Sequence, residues 1–260
     1  MIRSLYTART GMNGQQLQLD VITNNLANVN TAGFKKSRMQ FEDLFYQTMR
    51  ASGADTAGGG QVPVGIQVGM GVRPTSVGKI FTQGDYNETG NDLDWAIEGR
   101  GFFKIVKDGQ EYYSRAGAFT RDSEGYIVTG NGDRVQPEFA IPQEATTITM
   151  DGSGMLTAMD NQQNILASAQ FTLHDFINPA GLKAVGGNLF QQTEASGPAT
   201  EGNPGTDALG TIAQRFIETS NVNVTEELVN MIITQRAYEV NSKAVQTSDR
   251  LLEIANSLMR

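Results

Sequence analysis

Two seven-residue apolar repeats, one at each end of the chain, constrain the fold more than anything between them. Leu5, Met12, Leu19 and Leu26 recur every seven residues, and Ala8, Gln15, Ile22 and Val29 fill the matching positions. This is a helical seam of four heptads with coiled-coil spacing. It stops abruptly. Asn28 and Asn30 favour local side-chain bonding, and Gly33 can take the left-handed conformation that closes a helix end. Phe34 is placed to fold back on the last turn, and Lys35 and Lys36 suit the negative end of the helix dipole. The second seam runs over 221–260. Thr225 is the expected N-cap, with Glu226 and Glu227 in the first turn. Met231, Tyr238, Val245, Leu252 and Met259 then fall every seven residues, with Thr234, Asn241 and Ser248 as a polar edge along a wide face. At 1.5 Å per residue the two helices reach roughly 40 and 50 Å. Neither buries such a stripe against an ordinary compact domain, so they are expected to pack on each other, on further copies, or on both.

The residues between the seams read differently. The segment 38–50 mixes Met39, Phe41, Leu44, Phe45, Tyr46 and Met49 with polar residues and is expected to be a short helix or an extended linker. A Gly/Ala-rich stretch over 51–60 cannot form a core. Val62, Val64, Ile66, Val68, Met70 and Val72 then alternate with Pro63, Gly65, Gln67, Gly69, Gly71 and Arg73, a period of two. One side is apolar and the other nearly bare, which suits an interlocking arm of Gly53, Pro63, Gly65, Gly69 and Gly71, in which Pro63 marks an edge and Gly65, Gly69 and Gly71 let a neighbour's backbone approach. From 75 to 216 the chain reads as antiparallel β. The runs are 96–97, 102–106, 112–113, 127–129, 146–150 and 170–173, and turn signals such as Asp108-Gly109 and Asp151-Gly152-Ser153-Gly154 separate them. The expected class is α+β: long terminal helices paired as a coiled-coil-like domain, with a mainly antiparallel β domain inserted between them. The corresponding division is 1–34 with 217–260, a connecting segment with its arm over 35–75, and a β domain over 76–216.

Charge and composition remove several function classes. The 260 residues carry a net charge of −8, spread as +3 over 1–50, −10 over 51–220 and −1 over 221–260. No basic patch marks a nucleic-acid site. No apolar run is long enough to cross a bilayer, and the first residues lack the charged-then-apolar pattern of a signal peptide. Without cysteine there is neither a disulfide framework nor thiolate chemistry.

Catalytic constellations are scarce. His174 is the only histidine and sits beside Asp175 after a strand, which reads as structural. Two-histidine and cysteine metal sites are excluded. Asp92 and Asp94 flank the approach to Trp95, and a carboxylate pair against an aromatic platform is the pattern of a secreted carbohydrate-active protein. An exposed β edge explains the same residues equally well. No cofactor and no catalytic residue is assigned.

The stretch Ala27-Asn28-Val29-Asn30-Thr31-Ala32-Gly33-Phe34-Lys35, preceded by Asn25, resembles the N-terminal signature of the bacterial flagellar rod and hook proteins. Glu218-Thr219-Ser220-Asn221-Val222-Asn223, with Leu228 to Ile232 and Gln235 to Glu239, is similar to their C-terminal signature. Ala96-Ile97-Glu98-Gly99-Arg100-Gly101-Phe102-Phe103 resembles their central motif, so the match spans the chain in order. The resemblance implies a non-enzymatic subunit that self-assembles into a helical polymer, either a straight torque-transmitting shaft or the hook. It implies terminal helices lining an inner tube and export through the flagellar type III apparatus without a cleaved signal. The partners it implies are identical copies, proximal rod proteins, hook or hook-junction proteins and a ring bushing around the rod.

Overall fold

The computed structural model describes residues 2–53, 63–206 and 208–258. Val62 of the alternating run, the rest of 54–62, and Met259 of the second seam lie outside them. The chain divides into two compact units: residues 1–26, 37–78 and 224–260 form the first, and 27–36 with 79–223 the second.

The first unit holds both long helices, α1 (Ile2–Ala27) and α2 (Val224–Leu258), with four strands: β1 (Ser37–Asp43), β2 (Tyr46–Arg50), β3 (Ile66–Gly69) and β4 (Val72–Lys79). β1 pairs with β4. β2 and β3 form an antiparallel ribbon in the register Tyr46↔Gly69, Thr48↔Gln67 and Arg50↔Ile66. The segment 38–50 is therefore two strands, neither a helix nor a linker. Met39 and Phe41 stand two residues apart and so share one face; Met39 is buried, and the Phe41 ring lies 3.1 Å from where a Cβ on Gly14 of α1 would sit.

Both helix boundaries differ from expectation. α2 opens at Val224, so Thr225 lies inside the first turn and Asn223 holds the preceding position; Glu226 and Glu227 do occupy that turn. α1 ends at Ala27, which leaves Val29 in the turns that follow and Gly33 six residues beyond the helix.

The second unit is a set of antiparallel ladders. Its strands are β5 (Tyr86–Glu88), β6 (Trp95–Glu98), β7 (Phe103–Lys107), β8 (Gln110–Ser114), β9 (Phe119–Arg121), β10 (Ile127–Thr129), β11 (Arg134–Val135), β12 (Thr147–Met150), β13 (Met155–Met159) and β14 (Ile165–Gln170). There follow β15 (Leu173–Asp175), β16 (Lys183–Gly186), β17 (Leu189–Gln191), β18 (Thr200–Gly202), β19 (Thr211–Gln214) and β20 (Phe216–Glu218). Seven strands form one sheet in the order β16-β17-β8-β7-β11-β10-β9, and β12-β13-β14 form another. Asp108 and Gly109, both at positive φ, make the two-residue turn that the right-handed twist of β7 and β8 favours, with Lys107 opposite Gln110. The run expected as one strand over 170–173 is broken. The chain leaves β14 at Gln170, buries Phe171, and starts β15 at Leu173.

Adjacent phenylalanines serve two cores because successive strand residues point to opposite faces. Phe103 joins Trp95, Phe119 and Phe171, with the Trp95 ring 5.3 Å from Phe119 and 5.0 Å from Phe171. Phe102 joins Tyr113, Phe176 and Phe190. His174 is buried beside the Tyr113 ring at 5.6 Å, and its Nδ1 has no hydrogen-bond partner. Burial lowers its pKa, although the Glu201 carboxylate opposes that shift.

A buried ionic knot gathers the chain on either side of the β strands. Glu218 accepts a 2.6 Å bond from Lys35 Nζ and a 3.0 Å bond from Arg115 Nε, all three side chains being buried. Lys35 also donates to the Thr82 carbonyl, and Arg115 donates to the carbonyls of Gly99 and Gly101. Gly84 N donates to the Glu218 carboxylate and Gly33 N to the Glu218 carbonyl. Lys35 therefore serves this knot and not the end of the helix dipole. Gly33 uses its φ of +69° to bring the chain against Ala116, whose backbone N would be 2.6 Å from any Cβ placed there. Asn221 closes the knot: its Oδ1 accepts from Lys36 N at 2.7 Å and its Nδ2 donates to the Ile80 carbonyl at 2.8 Å. Burial works against ionisation of Glu218. The charges of Arg115 and Lys35, with hydrogen bonds from Lys35 and Gly84, outweigh it and hold the carboxyl below its usual range.

Two predictions follow from these buried groups. Glu218→Gln strands two cations in the interior and is expected to cost about 3–5 kcal/mol in denaturant unfolding of this unit; a loss below about 1 kcal/mol would mean that water reaches them. The unfolded chain takes up a proton at His174 near its ordinary pKa of 6.5, whereas the folded chain resists it. Stability should therefore fall as pH drops below 6.5, and His174→Gln should flatten that slope. The Glu218 contribution is lost only at lower pH, below the ordinary value of 4.5.

Candidate assembly surfaces

Within the first unit α1 and α2 meet along a polar line. Ser4 Oγ lies 3.3 Å from Ser248 Oγ, and Asn25 Nδ2 donates to Glu227 Oε2 at 3.3 Å. A Cβ on Gly11 would sit 2.9 Å from Asn241 Nδ2. These contacts run in opposite chain directions, so the helices are antiparallel. Asn25, Glu227, Thr234 and Ser248 are buried. The apolar rows read from the sequence flank this line: Leu5, Met12, Leu19 and Leu26 on α1, and Met231, Tyr238, Val245 and Leu252 on α2, are half-buried, and Ile22 is buried.

Leu251 and Leu258 flank the seam in the sequence, and α2 carries further exposed apolar residues that the seven-residue reading did not single out. Val229, Ile232, Ile233, Val240, Leu251, Ile254 and Leu258 are exposed, Ile233 at 61 %, Val240 at 64 % and Leu258 at 81 %. At 100° per residue Val229 and Ile232 lie nearly opposite the polar line of Glu227, Thr234, Asn241 and Ser248, Ile233, Val240 and Ile254 lie about a third of a turn round from it, and Leu251 and Leu258 flank it more closely. The signal was present in Ile233, Val240 and Ile254, spaced by multiples of seven, but Thr247 interrupts the series.

The residues of the N-terminal signature serve local geometry. Asn25 clamps the start of β1, donating to the Ser37 carbonyl at 2.9 Å while its Oδ1 accepts from Ser37 N at 2.8 Å. Ala27 is the last helical residue, and Thr31 Oγ1 donates to Asn28 Oδ1 at 3.1 Å in the turn after it. Phe34 lies under the Lys79 ammonium, 4.7 Å from the ring centroid.

The residues expected to form an arm lie on or beside the β2–β3 ribbon. Gly53 sits in a turn at its described edge and Pro63 in an exposed bend. Gly65 faces the Arg50 carbonyl, 2.5 Å from a would-be Cβ, Gly69 faces the Tyr46 ring, and Gly71 faces Thr10 of α1. These three glycines thus meet groups of their own chain. The ribbon and the residues at its ends leave large apolar side chains exposed among polar ones: Phe45 is 91 % and Val64 77 % exposed, with Met49 and Ile66 also exposed.

The carboxylates beside Trp95 have structural partners. Asp92 accepts from Arg215 Nε at 2.7 Å, Asp94 is buried and accepts from Asn91, and Trp95 is fully buried. A buried tryptophan offers no platform to a sugar.

Three family models match the chain in order. "Flagella basal body rod protein" covers residues 5–35, "Flagellar hook protein FlgE/F/G D1 domain" covers 96–158, and "Flagellar basal body rod FlgEFG protein C-terminal" covers 213–258. The chain is 45 % identical over 260 residues to the flagellar basal-body rod protein FlgG of Buchnera aphidicola from Acyrthosiphon pisum, covering 99 % of this chain and 100 % of that protein. It is 45 % identical over 264 residues to FlgG of Borreliella burgdorferi and 38 % identical over 268 residues to FlgG of Bacillus subtilis, each match covering 100 % of both chains. Identity sustained from the first helix to the last, through both signatures and the central motif, makes this chain a member of the flagellar basal-body rod protein family.

Proposed function

We propose that the chain is a structural subunit of the flagellar distal rod, self-assembling helically into the rigid drive shaft that carries torque through the periplasm to the hook. The end-to-end match to rod proteins supports this reading, and one surface carries it physically: the large apolar side chains that α2 leaves exposed beyond its contact line with α1. In this reading α1 and α2 pair as a coiled-coil-like domain, 1–34 with 217–260, and line the inner tube. The β domain over 76–216 faces outward, and 35–75 is the connection that carries the arm. Identical copies cover the exposed rows. Proximal rod proteins lie below, hook or hook-junction proteins above and a ring bushing around, and the subunit reaches its place through the flagellar type III apparatus without losing its N-terminus. Its work is mechanical, like that of the rod proteins it matches, and calls for no cofactor.

The arm has a physical reason to need a neighbour. A two-stranded ribbon is marginal alone in water, and this one leaves Phe45, Met49, Val64 and Ile66 uncovered. Docking on the next subunit would cover them and prevent sliding, as a straight shaft requires.

Electron microscopy of polymer grown from the purified full chain tests the reading. Straight rods are expected; curved tubes would favour a hook subunit, and absence of polymer under all conditions would count against assembly through these helices. Val240→Asp is expected to leave the monomer's unfolding curve unchanged and to raise the concentration needed for polymerisation at least about tenfold, since about 1.4 kcal/mol per contact suffices. Normal assembly of that variant would show the exposed side of α2 to be solvent-facing in the rod. Met49→Ser with Ile66→Ser should likewise spare the fold but give shorter or bent polymer, whereas straight rods of normal length would reduce the arm to a passive linker.

A further inference from the structure

The polar line between the terminal helices has a fixed offset. Ser4 meets Ser248, Gly11 meets Asn241, and Asn25 meets Glu227. Steps of seven and fourteen residues along α1 are answered by equal steps backwards along α2, so the pair holds one antiparallel register from end to end. The step missing from the series would join Gln18 to Thr234. Gln18 Oε1 is buried without a hydrogen-bond partner, and Thr234 is buried with its hydroxyl donating to the Asn230 carbonyl of its own helix.

The flanking apolar rows cannot set this offset. Leu5, Met12, Leu19 and Leu26, and Met231, Tyr238, Val245 and Leu252, are all large and all spaced by seven. Sliding one helix by a heptad brings large apolar residues together again, and burial is indifferent to which ones meet. The polar line is not indifferent. Gly11 is the residue of α1 that leaves room for Asn241, and a one-heptad slip puts Ser4 or Gln18 there instead. Asn25 is equally particular. Both ends of its amide are fixed by the Ser37 backbone, which leaves Nδ2 aimed at Glu227, and a slip removes that acceptor.

We infer that Ser4, Gly11, Gln18 and Asn25, with Ser248, Asn241, Thr234 and Glu227, form a register-determining ladder that selects one of several nearly equivalent pairings of the terminal helices. Polar groups at seam positions generally give up stability in exchange for register. The inference concerns the helix pair within one chain and stands apart from the rod reading.

The chain has no cysteine, so introduced thiols report without background. Three pairs in the full-length protein suffice: Ser4→Cys with Ser248→Cys in register, Ser4→Cys with Ala255→Cys slipped one way, and Ala8→Cys with Ala237→Cys slipped the other. On mild oxidation the in-register pair should close within the chain at least about tenfold faster than either slipped pair. The same pairs are then placed in a chain whose second helix has a uniform apolar row, Glu227→Leu with Thr234→Val and Asn241→Leu. Its helicity by circular dichroism should be retained, and the three closure rates should converge to within about twofold as the register becomes degenerate. The single change Asn241→Leu should give an intermediate ratio, which keeps the test decisive if the triple variant misfolds. Equal closure of all pairs in the unaltered ladder would overturn the inference. So would a preserved preference for the Ser4–Ser248 pair once the ladder is gone, because the apolar rows or the flanking strands would then be setting the register. Closure between chains instead of within them would place the helix pairing across subunits and overturn it as well.

Discussion

The carboxylate of Glu218 is the interaction on which the second unit depends. It is buried, it is held ionised by two buried cations, and every group that satisfies it belongs to a different stretch of chain: Lys35 just after α1, Arg115 after β8, and Gly84 before β5. Removing charges from water is costly, and the pair attraction repays that cost only when the remaining donors and acceptors are also met. Here they are met by backbone. Lys35 donates to Thr82 and Arg115 to Gly99 and Gly101, so the same bonds that satisfy the cations pin two loops. The geometry also explains Gly33, whose neighbours leave no space for a side chain. α1 ends six residues before Gly33, and α2 begins six residues after Glu218. The segments that follow α1 and precede α2 are thus tied together, within the second unit, by one ionic cluster.

The sequence carried the helices plainly, because a seven-residue period sustained over four or five positions points to a helical seam. It also carried Asp108-Gly109, where the turn demands two residues tolerant of positive φ. What it hid were partnerships distant in sequence. Lys35 and Glu218 are 183 residues apart, and beside a helix end the lysine reads naturally as a partner for the dipole. Thr234, Asn241 and Ser248 were visible as a polar edge, but periodicity alone cannot say which part of a wide face meets the partner helix. The structure puts that edge at the contact line and the leucine-rich rows beside it. β1 and β2 were ambiguous for another reason: their apolar residues are few and mostly exposed, so the period-two signal rests on Met39 and Phe41 alone. For the candidate surfaces, the outward row of α2 was masked by Arg236, Lys243 and Thr247, which lie among its apolar members.

A helix pair that meets along a polar line, with only half-buried apolar rows beside it and further apolar residues exposed, is poorly arranged for life as an isolated hairpin and well arranged for a subunit of something larger. Were Ile232, Ile233 and Ile254 covered within the chain, it would have less reason to associate. Turned outward, Val229, Ile232, Ile233, Val240, Leu251, Ile254 and Leu258 hold back a driving force of about 1.5–3 kcal/mol for each side chain fully buried. Covering four of them would supply roughly 6–12 kcal/mol, the scale of a micromolar association at about 8 kcal/mol before ordering costs are met. The two kinds of contact therefore divide the work by their physical nature. Hydrogen bonds and close packing at Asn25, Glu227, Gly11 and Asn241 are directional and suit the choice of one pairing within the chain. Apolar burial is non-directional and suits cohesion between many copies.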